Sequence, residues 1–367
     1  MYKILISGYY GFNNIGDESV LRAVVQNLRT RLSDIEITVL SQRPDVTSVR
    51  FGVNSAYRMS PIAILREISR CDMLISGGGS LLQDATSSKS ILYYLLLINL
   101  ALLMRKKVFI YSQGIGPIFD AKNRARTAKA LKKVHGIVVR DEGSAALLRQ
   151  IGLPPEKIIV TADPVLRIER PELRKGEMIL MEEECPRVDD RPLIGWAIKE
   201  RDPNSPFALE VEKCIRWLSQ TYNARCVMIP FHYAEDLNVA LQLADRLQHE
   251  DVGCLRRKNL SDETLSVIGN MDFLVGVRLH SLIYAAVMDV PMLGISYDPK
   301  VEAFLHSVEQ EPVSSTREFT FEKFQKAFTA AWENRDELRK TVALRRDALQ
   351  AKLNTNENMI AAIIEQS

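Results

Sequence analysis

Arg278 and His280 stand two residues apart in the run Gly276-Val277-Arg278-Leu279-His280-Ser281. The run ends an apolar stretch, Phe273–Val277, and leads into another, Leu282–Met288. A corner between a strand and a helix carries both side chains to the helix N-terminus. A guanidinium there can grip a carboxylate or phosphate through two parallel N–H donors. An imidazole there can move a proton near neutral pH, and Ser281 adds a hydroxyl. The plainer alternative is that Arg278 and His280 only cap the turn. Lys300, in Ser296-Tyr297-Asp298-Pro299-Lys300 after the apolar Met292–Ile295, is a candidate anion clamp; Asp298 either orients a neighbour or starts a turn. Arg140 ends another strand, with Asp141 and Glu142 beside it as a binding group or as local ion-pair partners. His232 follows Pro230-Phe231 and is a candidate wall, whereas His135, His249 and His306 read as surface residues.

Glycines concentrate in three turns that follow three strands: Gly8 to Glu18, Ser76 to Asp84, and Gln113 to Pro117. Glycine lets a ligand approach backbone N–H groups closely, and a glycine turn that feeds a helix N-terminus presents free donors and a favourable dipole. Asn14, Asp17, Glu18, Gly78, Gly79 and Asp84 are the candidate contacts for a polar ligand; Asp17 also reads as a helix cap. None of the turns matches the dinucleotide pattern G-x-G-x-x-G. A Walker A loop, G-x-S-x-G, D-x-D and H-E-x-x-H are missing from the sequence, as is any Cys/His cluster with ligand spacing, so a protein-held metal is not expected.

These residues need rigid elements to position them. Short β-branched runs at Lys3–Ser7, Glu36–Leu40, Met73–Ser76, Lys107–Ser112, Gly136–Arg140 and Lys157–Val160 alternate with helical patterns at Ser19–Leu32, Ser87–Met104, Ala121–Val134 and Gly143–Ile151. The alternation resumes with strands at Leu193–Ile198, Arg225–Pro230, Val252–Leu255, Phe273–Val277 and Met292–Ile295, and helices near Ala208–Thr221, Asn238–His249 and Ser281–Met288. Strand–helix alternation implies mostly parallel sheets. The expected architecture is α/β, two Rossmann-like domains facing across a cleft, with ligands at the carboxyl ends of the strands. The expected boundaries are 1–166 and 192–313 for the two domains. A charged, proline-punctuated linker or mobile loop is expected over 167–191, and C-terminal helices that pack back across the domains over 314–367, where Phe321, Phe324, Phe328 and Trp332 recur at helical spacing.

With 367 residues, two domains are expected. Lys plus Arg is 48 against 46 Asp plus Glu, a balance of +2 that argues against a general nucleic-acid binder. The 5 cysteines form no C-x-x-C pair and suit a reducing compartment. The chain begins on a strand-like run with no signal-peptide pattern, and its longest apolar stretch, Ile91–Met104, is too short to span a bilayer. A cytoplasmic protein is expected. Lys122, Arg124, Arg126, Lys129, Lys132 and Lys133 make an acid-free basic run just after that apolar stretch, either a solvated face or a peripheral contact with an anionic membrane.

Taken together, Gly11 to Glu18, Gly77–Gly79, Gln113 to Pro117, Arg140-Asp141, Ala162-Asp163-Pro164 and Val277 to Ser281 resemble the polysaccharide pyruvyl transferase family, in particular its bacterial cell-surface-anchoring type. The resemblance covers roughly residues 3 to 305. It implies a fold like that of GT-B glycosyltransferases and phosphoenolpyruvate as donor. It also implies a lipid-pyrophosphate-linked disaccharide as acceptor, whose N-acetylmannosamine receives a 4,6-linked pyruvate ketal in secondary cell wall polymer biosynthesis, a step in S-layer anchoring. Arg278 and His280 match the family's catalytic Arg-x-His, Arg140 its arginine after a first-domain strand, and Lys300 a donor-binding position. On that reading Arg140, Arg278, Lys300 and Ser281 hold the donor, His280 is the acid/base, and the first-domain glycine turns hold the saccharide. Phosphoenolpyruvate is then a co-substrate and no cofactor is demanded. Rival readings are a GT-B glycosyltransferase with a nucleotide-sugar donor, told apart by which ligand stabilises the protein, and a non-catalytic carbohydrate-binding protein, which would release no phosphate.

Overall fold

The computed structural model describes every residue except Asn13, Thr86, Ser87, Val188 and Ser367. The chain forms two compact units, residues 1–168 with 349–367, and residues 169–348.

The first unit opens with β1 (Tyr2–Ser7), α1 (Ile15–Arg31), β2 (Ile35–Ser41), α2 (Pro44–Phe51), β3 (Asn54–Tyr57), α3 (Pro61–Arg70) and β4 (Met73–Ser76). It continues with β5 (Gly79–Leu82), α4 (Ser88–Leu103), β6 (Lys107–Ile115), α5 (Ala121–Leu131), β7 (Gly136–Val139), α6 (Glu142–Gln150) and β8 (Ile158–Val160). All strand pairs are parallel, in the order β3-β2-β1-β4-β6-β7-β8, with β5 beside β6. Crossover helices cover both faces, so every residue of β4 and β7 is buried. On one face Ile64 and Ile68 of α3, Ile91 and Ile98 of α4, Leu131 of α5 and Leu148 of α6 share a core with Leu74 and Ile110. The strand order reverses between β1 and β4, which opens a crevice beyond their carboxyl ends.

The second unit holds α7 (Leu173–Glu182), β9 (Leu193–Ala197), α8 (Pro206–Tyr222), β10 (Arg225–Met228), α9 (Tyr233–Arg246) and β11 (Val252–Cys254). Then come α10 (Ser261–Gly269), β12 (Phe273–Gly276), α11 (Leu279–Val287), β13 (Met292–Gly294), α12 (Pro299–Ser307) and α13 (Phe321–Glu333). The last helix, α14 (Arg335–Glu365), begins in this unit and ends in the first. The sheet is again parallel, ordered β11-β10-β9-β12-β13, and reverses between β9 and β12. Phe324 and Phe328 of α13 are fully buried against Trp217, as their helical spacing predicts.

The α/β class with two Rossmann-like parallel sheets is as expected from the sequence. Some boundaries are not. Residues 167–191 are no linker: α7 lies inside them and packs on α10, with Ile179 and Leu180 2% exposed. Some of the charges that made this stretch look unstructured are paired, Lys175 with Asp262 of α10 and Glu182 with Arg257. The expected C-terminal helices are present as α13 and α14; α13 and the first half of α14 belong to the second unit and 349–367 to the first. The helix expected over Ser87–Met104 starts at Ser88, Ser87 lying outside the described residues.

Candidate functional site

Gly276, the last residue of β12, is pressed under α11: a Cβ there would come within 2.6 Å of Ser281 Oγ and 2.7 Å of Leu282 Cδ2. Arg278 is the N-cap of α11 in extended conformation, and its carbonyl accepts from Ser281 N–H at 2.9 Å and Ser281 Oγ at 2.6 Å. Ser281 is fully buried and fixes this corner. Arg278 Nε donates to Asp236 Oδ2 at 3.1 Å, and Nη2 donates to Asp236 Oδ1 and, at 3.2 Å, to Glu235 Oε2. Burial depresses the guanidinium pKa, but the bonds to Asp236 and Glu235 outweigh it and raise it. Nη1 takes part in none of these bonds. His280 follows in the first turn of α11, half-buried.

Two ammonium groups flank this corner. Lys199, just past β9, sits with Nζ 3.7 Å from the centroid of the Tyr297 ring; Lys300 Nζ is 5.5 Å from the same ring and 3.5 Å from Asp298 Oδ2. Asp298 caps α12 through Lys300 N–H at 3.1 Å. Burial lowers the Lys199 pKa, and the charges of Arg278 and Lys300 lower it further against the opposing pull of Tyr297 and Asp298. Lys199 and Arg278 therefore interact where the strand order reverses, and His280 lies in the first turn of the helix whose N-terminal dipole favours an anion. Lys199, Tyr297, Asp236 and Glu235 were not singled out from sequence. Lys199 could have been, because it follows a strand just as Arg140 does. The two carboxylates lie before the helix expected near Asn238–His249; α9 in fact begins at Tyr233 and takes them into its first turn.

The first unit places its glycine turns at the β1–β4 reversal. Gly11 has φ +82°, and a Cβ there would meet Ser41 Oγ at 2.4 Å. Its N–H donates to Glu18 Oε1 at 2.8 Å, so buried Glu18 holds the turn. Asn14 caps α1 by accepting from Gly16 N–H at 3.0 Å. Asp17 is half-buried in the next turn, 3.1 Å from where a Cβ on Gly79 would lie, and Gly79 has φ +90°. Gly78 is required by packing, since its Cβ would lie 2.7 Å from Val20. Asp84 also departs from expectation: its carboxylate accepts from Phe119 N–H at 2.7 Å, and from Asp120 N–H and the Asn123 amide at 3.1 Å each, which ties down the entry to α5. Burial raises its pKa, but those three donors together with Arg124 outweigh it and pull it below the usual value.

Arg140 is also committed internally. It lies against Gly114, where a Cβ would meet its guanidinium at 2.7 Å, and bonds Asp163 at 3.1 Å, Ser80 at 3.0 Å and Asp141 at 3.4 Å. Burial disfavours its charge, but Asp163 and Asp141 more than offset this and raise its pKa. In this geometry Arg140 organises the sheet edge. More telling are Ser7 Oγ, Tyr10 Oη and the Gln113 amide, which are buried with no hydrogen-bond partner among the described residues. Buried polar atoms are nearly always satisfied, so such orphans near a sheet edge mark a ligand or water site. Among the described residues no group of three His, Cys, Asp or Glu side chains could hold a metal ion.

Comparison with known proteins adds the decisive observation: the model of the polysaccharide pyruvyl transferase family matches residues 14–299, which include Arg278 and His280. The chain belongs to the polysaccharide pyruvyl transferase family. Membership makes it a transferase. The amylovoran biosynthesis protein AmsJ of Erwinia amylovora is 20% identical over 353 residues, covering 81% of this chain and 84% of AmsJ. Among solved structures, UDP-GlcNAc 2-epimerase from Neisseria meningitidis superposes with a TM-score of 0.66 at 14% identity, covering 98% of this pyruvyl transferase family member and 100% of the epimerase. HepE from Anabaena, solved with UDP and glucose, gives 0.63 at 11% identity with 100% of both chains covered. These likenesses establish a GT-B-like fold. The described residues include no helix long and apolar enough to cross a membrane.

Proposed function

We propose that the protein transfers the pyruvyl unit of phosphoenolpyruvate to two hydroxyls of a lipid-pyrophosphate-linked saccharide, forming a ketal and releasing phosphate. The observation that carries this reading is the α11 corner. There Lys199, Lys300 and Nη1 of Arg278 offer positive charge to a small polyanion, and His280 stands in the same helical turn. Phosphoenolpyruvate brings a carboxylate and a phosphate, and fixed cations in a partly dry site hold both with little reorganisation.

The chemistry balances without a cofactor. The first hydroxyl adds at C2 while a proton reaches the methylene carbon, which becomes a methyl. The C2–O bond to phosphate then breaks, the second hydroxyl closes the ketal, and its proton leaves with the phosphate. His280 is the group that moves these protons, a role worth about 10²–10⁴-fold in rate. Asp236 and Glu235 aim Arg278. The orphaned polar atoms of Ser7, Tyr10 and Gln113 in the first unit, together with Asp17, suit the hydroxyl-rich acceptor. The 4,6-diol of an N-acetylmannosamine unit in a secondary cell wall polymer precursor is the acceptor to try first, and AmsJ keeps exopolysaccharide precursors as the second. Five free, buried cysteines suit a reducing compartment and support action in the cytoplasm.

The test is phosphate release from phosphoenolpyruvate with a lipid-linked saccharide present, with the ketal methyl read by NMR. His280→Ala should abolish turnover while calorimetry still shows phosphoenolpyruvate binding. Thermal stabilisation by UDP but not by phosphoenolpyruvate would instead favour a nucleotide-sugar transferase.

A further inference from the structure

We propose that the outward face of α3, α4 and α5 docks on an anionic phospholipid membrane. These three helices lie side by side on one face of the first sheet and send Ile64, Ile91, Ile98 and Leu131 into one core. Their opposite sides therefore point the same way, out from the sheet. On α4 that side is mostly apolar: Leu92 is 40% exposed, Leu96 55% and Leu103 79%, with exposed Lys89 and Asn99 on the same face. On α3 Ile62 is 80% and Leu65 47% exposed, and Phe119, just before α5, is 69% exposed.

A helix that covers a sheet in water normally turns polar residues outward, whereas α4 is apolar nearly all round. At 16 residues it is too short to span a bilayer. Lying in the interfacial plane satisfies both facts. The choice of membrane comes from charge. α5 exposes Lys122, Arg126 and Lys129, Lys133 is exposed just after it, neither α4 nor α5 contains an acidic residue, and Arg105 is exposed at the end of α4. A mostly apolar face beside an acid-free basic helix complements the surface of an anionic leaflet, where each such cation strengthens binding roughly fivefold. A second protein copy would bring the same positive charge and be repelled.

The experiment is co-sedimentation of the full chain with vesicles of phosphatidylglycerol and phosphatidylcholine, or of phosphatidylcholine alone. Binding should favour the anionic vesicles at least tenfold and weaken in about 0.5 M salt, as screened charge requires. The double variants Leu92→Ser with Leu96→Ser, and Lys122→Glu with Lys129→Glu, should each lose at least tenfold in partitioning with unchanged melting temperature. Equal binding to both vesicle types, no binding, or wild-type binding by both variants overturns the proposal. So does an apolar variant that turns a dimer into a monomer by light scattering and keeps its vesicle binding. Because the readout is sedimentation, the outcome is independent of whether pyruvyl transfer is the activity.

Discussion

Asp236 grips Arg278 with both oxygens of its carboxylate, and Oδ2 also accepts the backbone N–H groups of Phe231 and His232 at 3.2 and 2.8 Å. One buried acid thus ties the β10–α9 loop to the cation at the head of α11. Arg278 is aimed rather than free, and its reach to a ligand depends on an acid 42 residues earlier in the chain.

Asp236→Ala should lower stability by about 1–3 kcal/mol in urea unfolding, because it strips partners from a half-buried guanidinium and two N–H groups. It should also weaken phosphoenolpyruvate binding by calorimetry. A variant with wild-type midpoint and affinity would show that the pairing aims nothing.

Glu235 gives the pH signature. Burial raises its pKa, but the bond from Arg278 and the nearby His232 and Arg201 bring it below 4.5. A carboxylate with a folded pKa below its unfolded one stabilises fully above the unfolded value and loses that contribution as pH falls through the folded one. The stability gap between wild type and Glu235→Gln should hold from about pH 7 to about pH 5 and close below about pH 4. A gap that stays constant to about pH 3 contradicts the pairing.

Lys199 has its charge disfavoured by burial and two neighbouring cations, against the pull of Tyr297 and Asp298. Its folded pKa lies below 10.5, so its charge costs stability at neutral pH, and that cost fades as pH rises through the folded value. Lys199→Met should therefore raise the melting temperature without ligand and shrink the further rise that phosphoenolpyruvate produces. A lower melting temperature would mean that the ammonium is structural.

Arg140→Ala leaves Asp163, 5% exposed, without its guanidinium. Removing one member of a buried pair typically costs about 3–5 kcal/mol. The variant should unfold at markedly lower urea than Arg278→Ala, and the reverse order would return Arg140 to a ligand-binding role.

Much of this fold was legible because parallel strands are apolar throughout and stand out from their helices. The elements that escaped notice lack that contrast. β3 buries only Ala56 among its four residues, β5 starts on Gly79-Ser80, and α7 hides Ile179 and Leu180 in a field of charge. The α11 corner was readable from Arg278 and His280, since a strand end fixes where its side chains go. Partners supplied by other strands were not. Nothing local to Glu18, Asp84 or Arg140 says that a backbone N–H or a buried aspartate already occupies it.

The first unit is not one continuous stretch of chain. Residues 349–367 complete it: Asn356 donates to Ser112 at 2.8 Å, and Glu357 takes Tyr111 and Arg167 as partners. A ribosome makes these residues only after the whole second unit. The half begun first is therefore completed after the second, and until then Tyr111, Ser112 and Arg167 lack these partners from α14. Nascent chains stalled before Leu349 should be easy prey for proteases in their leading half, and a severed C-terminal peptide added back in trans should restore protection there.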